Sequence, residues 1–179
     1  MLSERLLKEL NEQIKYEFDS AHIYLAMAGY FADQDLEGFE NFFLVQEEEE
    51  RFHAMKFYQF INGMGARVDI KGFEDPENHY NSATEVFEAA LKHEQFITSR
   101  IYKLMDIAIE ENEHATASFL KRSEERRVGK VDEQLEEEDT MTKILAKLRR
   151  FGEDGAGIMM LDKELSLRIF TPPVDTVQA

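Results

Sequence analysis

Apolar residues recur along most of the chain at alternating spacings of three and four, and this periodicity predicts amphipathic helices rather than strands. Ser3 is a suitable N-cap for the first helix, and the glycines of Asn62-Gly63-Met64-Gly65 end the second. The capping box Ser82-Ala83-Thr84-Glu85 marks the start of the third. The pattern predicts helices over about residues 3–31, 37–62, 82–111, 114–150 and 158–168.

A long connection separates the second predicted helix from the third. Residues 65–81 contain Gly72, Pro76 and several polar side chains, and they show no helical periodicity. Four long helices with one long connection in this position form a known bundle topology. The sequence therefore predicts an all-α four-helix bundle, as a single domain over residues 1–179, with a short fifth helix at the C-terminal end.

Charge and composition exclude several classes of function. The formal net charge of −16 argues against a nucleic-acid or anionic-membrane partner and favours attraction of cations. The absence of cysteine excludes disulfides, thiolate metal sites and iron–sulfur clusters. The longest apolar run, residues 23–32, is too short to span a membrane, and the charged start of the chain is unlike a signal peptide. We expect a cytoplasmic protein.

Each inward-facing stripe is apolar except at one level, where acid, amide or imidazole side chains interrupt it. Those side chains are Glu17 on the first helix, Glu50 and His53 on the second, Glu94 on the third, and Gln134 and Glu137 on the fourth. The first three acids fall near the middle of their helices, about 20 Å along at 1.5 Å per residue. Buried carboxylates without counter-charge are costly, and no lysine or arginine lies on these stripes near that level. A bound pair of metal ions is the simplest resolution.

Two similar spacings elsewhere have ordinary explanations. Asp19-x-x-His22 lies off the inward stripe of the first helix, and Glu111-x-x-His114 falls at a turn where capping and solvation account for it. Glu48, in the middle of an acidic run, is expected to face solvent. A purely structural bundle, whose acids bind divalent cations without oxidase turnover, remains the alternative.

The donor set indicates the metal. Carboxylates with one imidazole and no thiolate favour iron or manganese, with zinc as a tight-binding competitor. Glu50 has the position of a ligand shared by two metal ions, which would then lie close enough to react with O₂ or peroxide. Tyr24 lies two turns from Glu17 on the same stripe, close enough to take part in redox chemistry.

Five segments together resemble prokaryotic non-haem ferritins, and the resemblance covers nearly the whole chain. They are YEFDSAHIYLAM, EEERFHAMKFY, FEAALKHEQF, the segment VDEQLEEED and the terminal GEDGAGIMMLDKELSLRIFTPP. The resemblance implies a hollow shell, usually of 24 subunits, that oxidises Fe(II) and stores ferric mineral. In bacterioferritins a haem-binding methionine lies two residues before the site histidine; Arg51 lies there in this chain, so no haem is expected.

The same resemblance assigns roles to individual residues. Glu17, Glu50 and His53 correspond to a first iron site, and Glu50, Glu94 and either Gln134 or Glu137 to a second. The accessory third iron site corresponds to Glu49, Glu133, Glu136 and Glu137. Tyr24 corresponds to the tyrosine beside the di-iron centre.

Residues 122–130, RSEERRVGK, depart from the family pattern by about seven extra residues. Seven residues rotate a helix by about 700°, so the facing of Glu137 is nearly preserved, but its height shifts by about 10.5 Å if the helix is continuous. A continuous helix would also direct Arg127 and Lys130 inward. We expect the segment to loop out, with Gly129 easing re-entry; an unbroken helix that displaces Glu137 is the rival. The nine residues also resemble the translation of a common sequencing-adapter read, so a natural insertion, an engineered one and an artefact all remain open.

Overall fold

In the computed structural model, which describes residues 2–121, 130–152 and 154–172, the chain forms α-helices and no strand within those ranges. The helices are α1 (Glu4–Asp33), α2 (Glu37–Gly63), α3 (Ala83–Glu110), α4 (His114–Lys121), α5 (Lys130–Phe151) and α6 (Gly155–Leu165). Helices α1, α2 and α3 form three sides of a bundle, α4 and α5 together form the fourth, and α6 packs against α2 and α5. The predicted four-helix bundle with a short C-terminal helix is confirmed.

The first three helices begin and end close to where the sequence predicts. The Ser3 hydroxyl caps α1 by accepting a hydrogen bond from the Leu6 N–H at 3.0 Å. The Ser82 hydroxyl does the same for α3, accepting from the Glu85 N–H at 3.1 Å. Asp35 has a φ of 54°, a left-handed conformation that aspartate tolerates and that allows the short turn from α1 to α2.

The last helix begins at Gly155, earlier than the predicted start at about residue 158. The cause is a local cap, because the Asp154 carboxylate accepts hydrogen bonds from the Ala156 N–H at 3.3 Å and the Gly157 N–H at 3.2 Å. Within this helix Gly157 packs closely on Phe151, and a Cβ there would lie 2.6 Å from the Phe151 ring. Gly155 and Gly157 therefore belong to the first turns of α6.

The fourth predicted helix corresponds to α4 and α5. Residues 122–129 lie outside the described residues, so the predicted loop over that segment stays a prediction. What the structure describes is that α5 begins at Lys130 and packs along α3.

The bundle interior consists of two apolar clusters. One cluster is centred on Tyr24, Phe31, Phe39, Phe43 and Phe87. The other contains Leu10, Ile14, Phe57, Ile97 and Ile101. In α1, α2 and α3, the chain passes from one cluster to the other across the level of Glu17, Glu50 and Glu94. The mid-height acids thus form a polar layer between two tightly packed apolar regions.

The crossover between α2 and α3 is attached to the outside of α1. The Asn11 side-chain oxygen accepts a hydrogen bond from the Asp69 N–H at 2.7 Å, and Tyr80 packs edge-on against Tyr30 at 5.6 Å. Among the described residues, no helix is long and apolar enough to cross a membrane.

Candidate metal centre

Five of the predicted metal-ligand residues are almost fully buried, with 5% or less of their surface exposed. They are Glu17, Glu50, His53, Glu94 and Gln134, which come from α1, α2, α3 and α5. Each lies on the same face as the apolar residues one or two turns away, so packing of the two apolar clusters directs all five toward the bundle axis. The helical spacing that predicted their meeting is the spacing that brings them together.

Two overlapping groups of ligand atoms lie at this level. In the first, Glu17, Glu50 and His53 each offer an atom within 4.8 Å of the other two. In the second, Glu50, Glu94 and Glu137 do the same. Glu50 belongs to both groups, so one carboxylate lies between two positions that can each hold a cation.

The donor set suits a pair of divalent ions. His53 Nδ1 lies 3.3 Å from a Glu50 oxygen, 3.8 Å from a Glu17 oxygen and 3.9 Å from a Glu137 oxygen. Four carboxylates and one imidazole supply hard oxygen donors with a single nitrogen, the set that Fe(II) and Mn(II) accept. Because these acids are buried close together, bound cations would offset their mutual repulsion.

Amide side chains orient two of the acids. Gln13, fully buried one turn before Glu17, donates a hydrogen bond to it at 2.9 Å. Gln134 donates a hydrogen bond to the Glu94 carboxylate from across the bundle. The sequence left Gln134 and Glu137 as alternatives for the second site. In the structure a Glu137 oxygen lies within 4.8 Å of ligand atoms of Glu50 and Glu94, and the Gln134 amide contacts Glu94, so both residues lie at this position.

Tyr24 is directly connected to this centre. Its hydroxyl donates a hydrogen bond to the second Glu94 oxygen, and the ring is completely buried. Burial, together with the nearby Glu94 and Glu50 carboxylates, holds the pKa of the Tyr24 phenol well above its usual value. The phenol therefore stays protonated at neutral pH and remains a hydrogen-bond donor to Glu94.

Beyond His53, the accessory acids surround a more open pocket of about 380 Å³. Glu133 lies 3.4 Å from His53 Nε2, so the imidazole lies between the inner acids and this pocket. Glu49 and Glu133 are largely covered, with side chains 20% and 17% exposed, whereas Glu136 faces solvent. The inner and outer acids are thus adjacent but differ in access to water.

Two cations reach the outer acids from faces that the inward stripes do not include. Lys56 donates to Glu133 at 2.9 Å, and Arg168, beyond α6, donates to Glu49 at 2.6 Å. The sequence analysis considered only the inward stripes, and neither Lys56 nor Arg168 lies on one. It therefore did not identify these two cations. Arg168 is far away in the sequence, and only docking of α6 brings it here.

A second pair missed by the sequence lies beside Tyr24. Ser20 Oγ and His93 Nε2 are 2.7 Å apart, and the His93 ring meets the Tyr24 ring edge-on at 6.0 Å. Burial lowers the pKa of His93 to about 4, so the ring is neutral at physiological pH. The only signal in the sequence is that Ser20 and His93 each lie within a helix next to the inward stripe.

The spacings set aside in the sequence lie outside this centre. His22 is exposed and packs against Phe73, with ring centroids 5.4 Å apart. Glu111 accepts a hydrogen bond from the Ser3 hydroxyl at 2.5 Å, and His114 is exposed at the start of α4. Glu48 is exposed, as expected.

The bundle and its central carboxylate cluster define a class, and comparison with known proteins identifies it. The family model of the ferritin-like domain matches residues 7–151, so the chain belongs to the ferritin family. The resemblance drawn from the sequence motifs is therefore confirmed.

Similar proteins cover almost the whole chain. A bacterial non-heme ferritin from Staphylococcus aureus (strain USA300) is 39% identical over 170 residues, 95% of this chain and 98% of the relative. A solved structure from work on engineering a closed form of the Archaeoglobus fulgidus ferritin is 42% identical, with a TM-score of 0.89; the match covers 96% of this chain and all of that one. An open pore ferritin from the same archaeon is 41% identical, also with a TM-score of 0.89, over 94% of this chain and 100% of that one.

Proposed function

We propose that this protein stores iron and is a ferroxidase, oxidising Fe(II) at the central cluster and retaining the ferric product inside a shell of identical subunits. Membership of the ferritin family supports iron storage. The main support for the proposed ferroxidase activity is the position of Glu50, whose carboxylate belongs to both three-ligand groups. A shared carboxylate holds two substrate ions side by side, which two-electron chemistry on one oxidant requires.

The proposed roles of the inner residues follow from their contacts. Glu17, Glu50 and His53 bind one Fe(II), and Glu50, Glu94 and Glu137 bind the other. Gln13 and Gln134 keep Glu17 and Glu94 oriented by donating hydrogen bonds to them. Two Fe(II) ions supply two electrons, so with two protons they reduce one O₂ to H₂O₂; peroxide can serve as the oxidant in turn.

Tyr24 is proposed as the redox partner of this pair. Its raised pKa keeps the proton on the phenol, so removal of an electron must be accompanied by transfer of that proton. The Glu94 oxygen that accepts the Tyr24 hydrogen bond is positioned to receive it. Catalytic roles therefore fall on Glu17, Glu50, His53, Glu94 and Tyr24.

The outer acids are proposed as the accessory iron site. Glu49, Glu133, Glu136 and Glu137 line one pocket next to His53. Glu137 is shared with the inner group, so this pocket offers iron a path away from the inner pair after oxidation. Haem is not part of the proposal, because Arg51 is the residue where haem-binding relatives carry methionine.

Assembly into a homo-oligomer, with 24 subunits as the proposed number, is supported by the family and by the almost complete coverage of solved ferritins. The formal charge of −16 per chain supports attraction of Fe(II) to such a particle.

Aerobic addition of Fe(II) followed by gel filtration tests the proposal. The expected result is rapid ferric colour that elutes with a shell-sized protein. A small particle that binds divalent cations without oxidising Fe(II) would instead support the structural-bundle alternative.

A further inference from the structure

The segment after α6, residues 166–172, folds back along α2 and is called the C-terminal arm here. The Asn41 side-chain amide donates hydrogen bonds to the Leu165 carbonyl at 3.2 Å and the Arg168 carbonyl at 3.1 Å. The Phe170 ring lies 5.6 Å from the Phe52 ring of α2. One backbone attachment and one aromatic contact therefore hold the arm on either side of the Arg168 side chain.

The Arg168 side chain is held in a partly desolvated position. Its guanidinium donates to a Glu49 oxygen at 2.6 Å, and it lies 4.4 Å above the centre of the Phe42 ring. Only 25% of the side chain is exposed, and its Nη1 is buried without a hydrogen-bond partner among the described residues. A charge-assisted hydrogen bond in this setting is less screened than an exposed ion pair.

The arm and the outer acids line the same pocket. Residues 168–171 form one side of it, and Glu49, Glu133 and Glu136 lie across from them. Any cation that takes Glu49 as a ligand must use a carboxylate that Arg168 already contacts. The positive guanidinium would also lie within a few ångströms of that cation and repel it.

We propose that Arg168 is a built-in counter-cation of the outer site, which competes with metal for Glu49 and so sets how weakly that site binds. Occupation of the site displaces the guanidinium and loosens the arm. The inference rests on the proposed function, because it concerns the accessory site of the same centre. Arg168 contacts Glu49 on the face of α2 toward the arm. It therefore changes the metal affinity of the outer site and leaves the affinity of the inner pair unchanged.

Titration of the assembled, metal-free protein with Zn²⁺ tests this without any oxidation step. Isothermal titration calorimetry of the parent and of Glu49→Gln identifies the outer site as the class of binding that this substitution removes. In Arg168→Gln, that class is expected to bind about tenfold more tightly, since a competing charge-assisted hydrogen bond is gone. The tighter, inner classes are expected to change less than about twofold.

Three control variants separate the effect of the Arg168 charge from the effect of anchoring the arm. Arg149→Gln removes an equal charge from an exposed pair with Glu88, away from the pocket, and is expected to leave every class unchanged. Phe170→Ala loosens the arm but keeps the guanidinium, and Arg168→Lys keeps a cation without the planar fork; both are expected to lie between the parent and Arg168→Gln.

The inference is overturned if Arg168→Gln leaves the outer affinity unchanged or weakens it, or if Arg149→Gln tightens it equally. Equal effects of Phe170→Ala and Arg168→Gln would also overturn it, because arm docking alone would then explain the result. Failure of the proposed function has a different signature: Zn²⁺ binding that is insensitive to Glu50→Gln in every class.

Discussion

The carboxylate of Asp162 caps the helix that begins beside Gly38. Its Oδ1 accepts hydrogen bonds from the Gly38 N–H at 2.8 Å and the Phe39 N–H at 3.0 Å. The residue at the N-cap position of α2 is Leu36, which has no side-chain cap. A side chain of α6 therefore satisfies the first amides of α2 and places a negative charge at the positive end of its dipole. This contact fixes α6, and through it the C-terminal arm, against the bundle.

Replacement of Asp162 by alanine is expected to destabilise the protein by about 1–2 kcal/mol, because the start of α2 loses its cap and its favourable charge. Denaturant unfolding of the parent and variant measures the difference. Asp139→Ala is the matched control, since Asp139 is 59% exposed and pairs with Lys143 on the surface of α5; it is expected to cost about 0.5 kcal/mol or less. Equal losses in the two variants would contradict the capping role.

Gly38 is expected to tolerate no side chain. A Cβ there would lie 1.7 Å from the Asp162 carbonyl oxygen, a backbone atom that cannot move without shifting α6. Gly38→Ala should therefore destabilise by about 1–3 kcal/mol or more. Gly29→Ala is the control. Gly29 also lies within a long helix, but no described residue packs within 4 Å of the position of its Cβ, apart from the backbone of its own helix, so the variant should be more stable by about 0.5–1 kcal/mol. Thermal unfolding is expected to show a lower midpoint temperature for Gly38→Ala and a higher one for Gly29→Ala. A shift in the same direction for both variants would refute the argument.

Glu50→Ala and His53→Ala are expected to abolish fast Fe(II) oxidation while leaving a folded, assembled protein. Removal of a buried carboxylate relieves repulsion in the metal-free state, so the core should not be weakened by it. Absorbance of ferric product after aerobic Fe(II) addition gives the rate, and gel filtration reports assembly. Glu48→Ala, on the exposed face of the same helix, should oxidise iron like the parent. Oxidation at the parent rate in either of the first two variants would show that the proposed inner site is wrong.

Glu136→Ala is expected to alter what happens to iron after oxidation more than the oxidation itself. Glu136 faces solvent at the outer pocket and does not belong to either inner ligand group. The initial rate of ferric formation should stay within about threefold of the parent, while the later growth of mineral changes. Rapid-mixing absorbance separates the two phases. Complete loss of the initial phase would contradict this division of roles.

Deletion of residues 122–128 is expected to keep both the fold and Fe(II) oxidation. Leu120 of α4 and Gln134 of α5 are both buried and fourteen positions apart, and removal of seven leaves a spacing of about two helical turns with the same facing. Fe(II) oxidation and unfolding of the shortened chain are the measurements. Loss of oxidation in a folded shortened chain would mean that the extra residues are needed to bring Glu137 to the centre.

The helical periodicity by itself determined most of the bundle. Spacings of three and four put Glu17, Glu50 and Glu94 on inward faces at one height, because a residue's angle and height on a helix follow from its position alone. The caps at Ser3 and Ser82 could be predicted for a similar reason, since a cap depends on side chains within one turn. Local helix geometry was therefore enough to predict the fold and the positions of the inner acids.

Only the tertiary structure decided which residues far apart in the sequence come into contact. Asp162 contacts the start of α2, and Arg168 contacts Glu49; each pair is more than a hundred residues apart in the sequence. Helical periodicity cannot predict contacts at such separations. Gln134 and Glu137 both lie on α5, and the packing of α5 against α3 sets their contacts: a Glu137 oxygen lies within 4.8 Å of ligand atoms of Glu50 and Glu94, and the Gln134 amide donates to Glu94. Contacts within one helix follow from sequence spacing, whereas contacts between helices depend on how their surfaces pack.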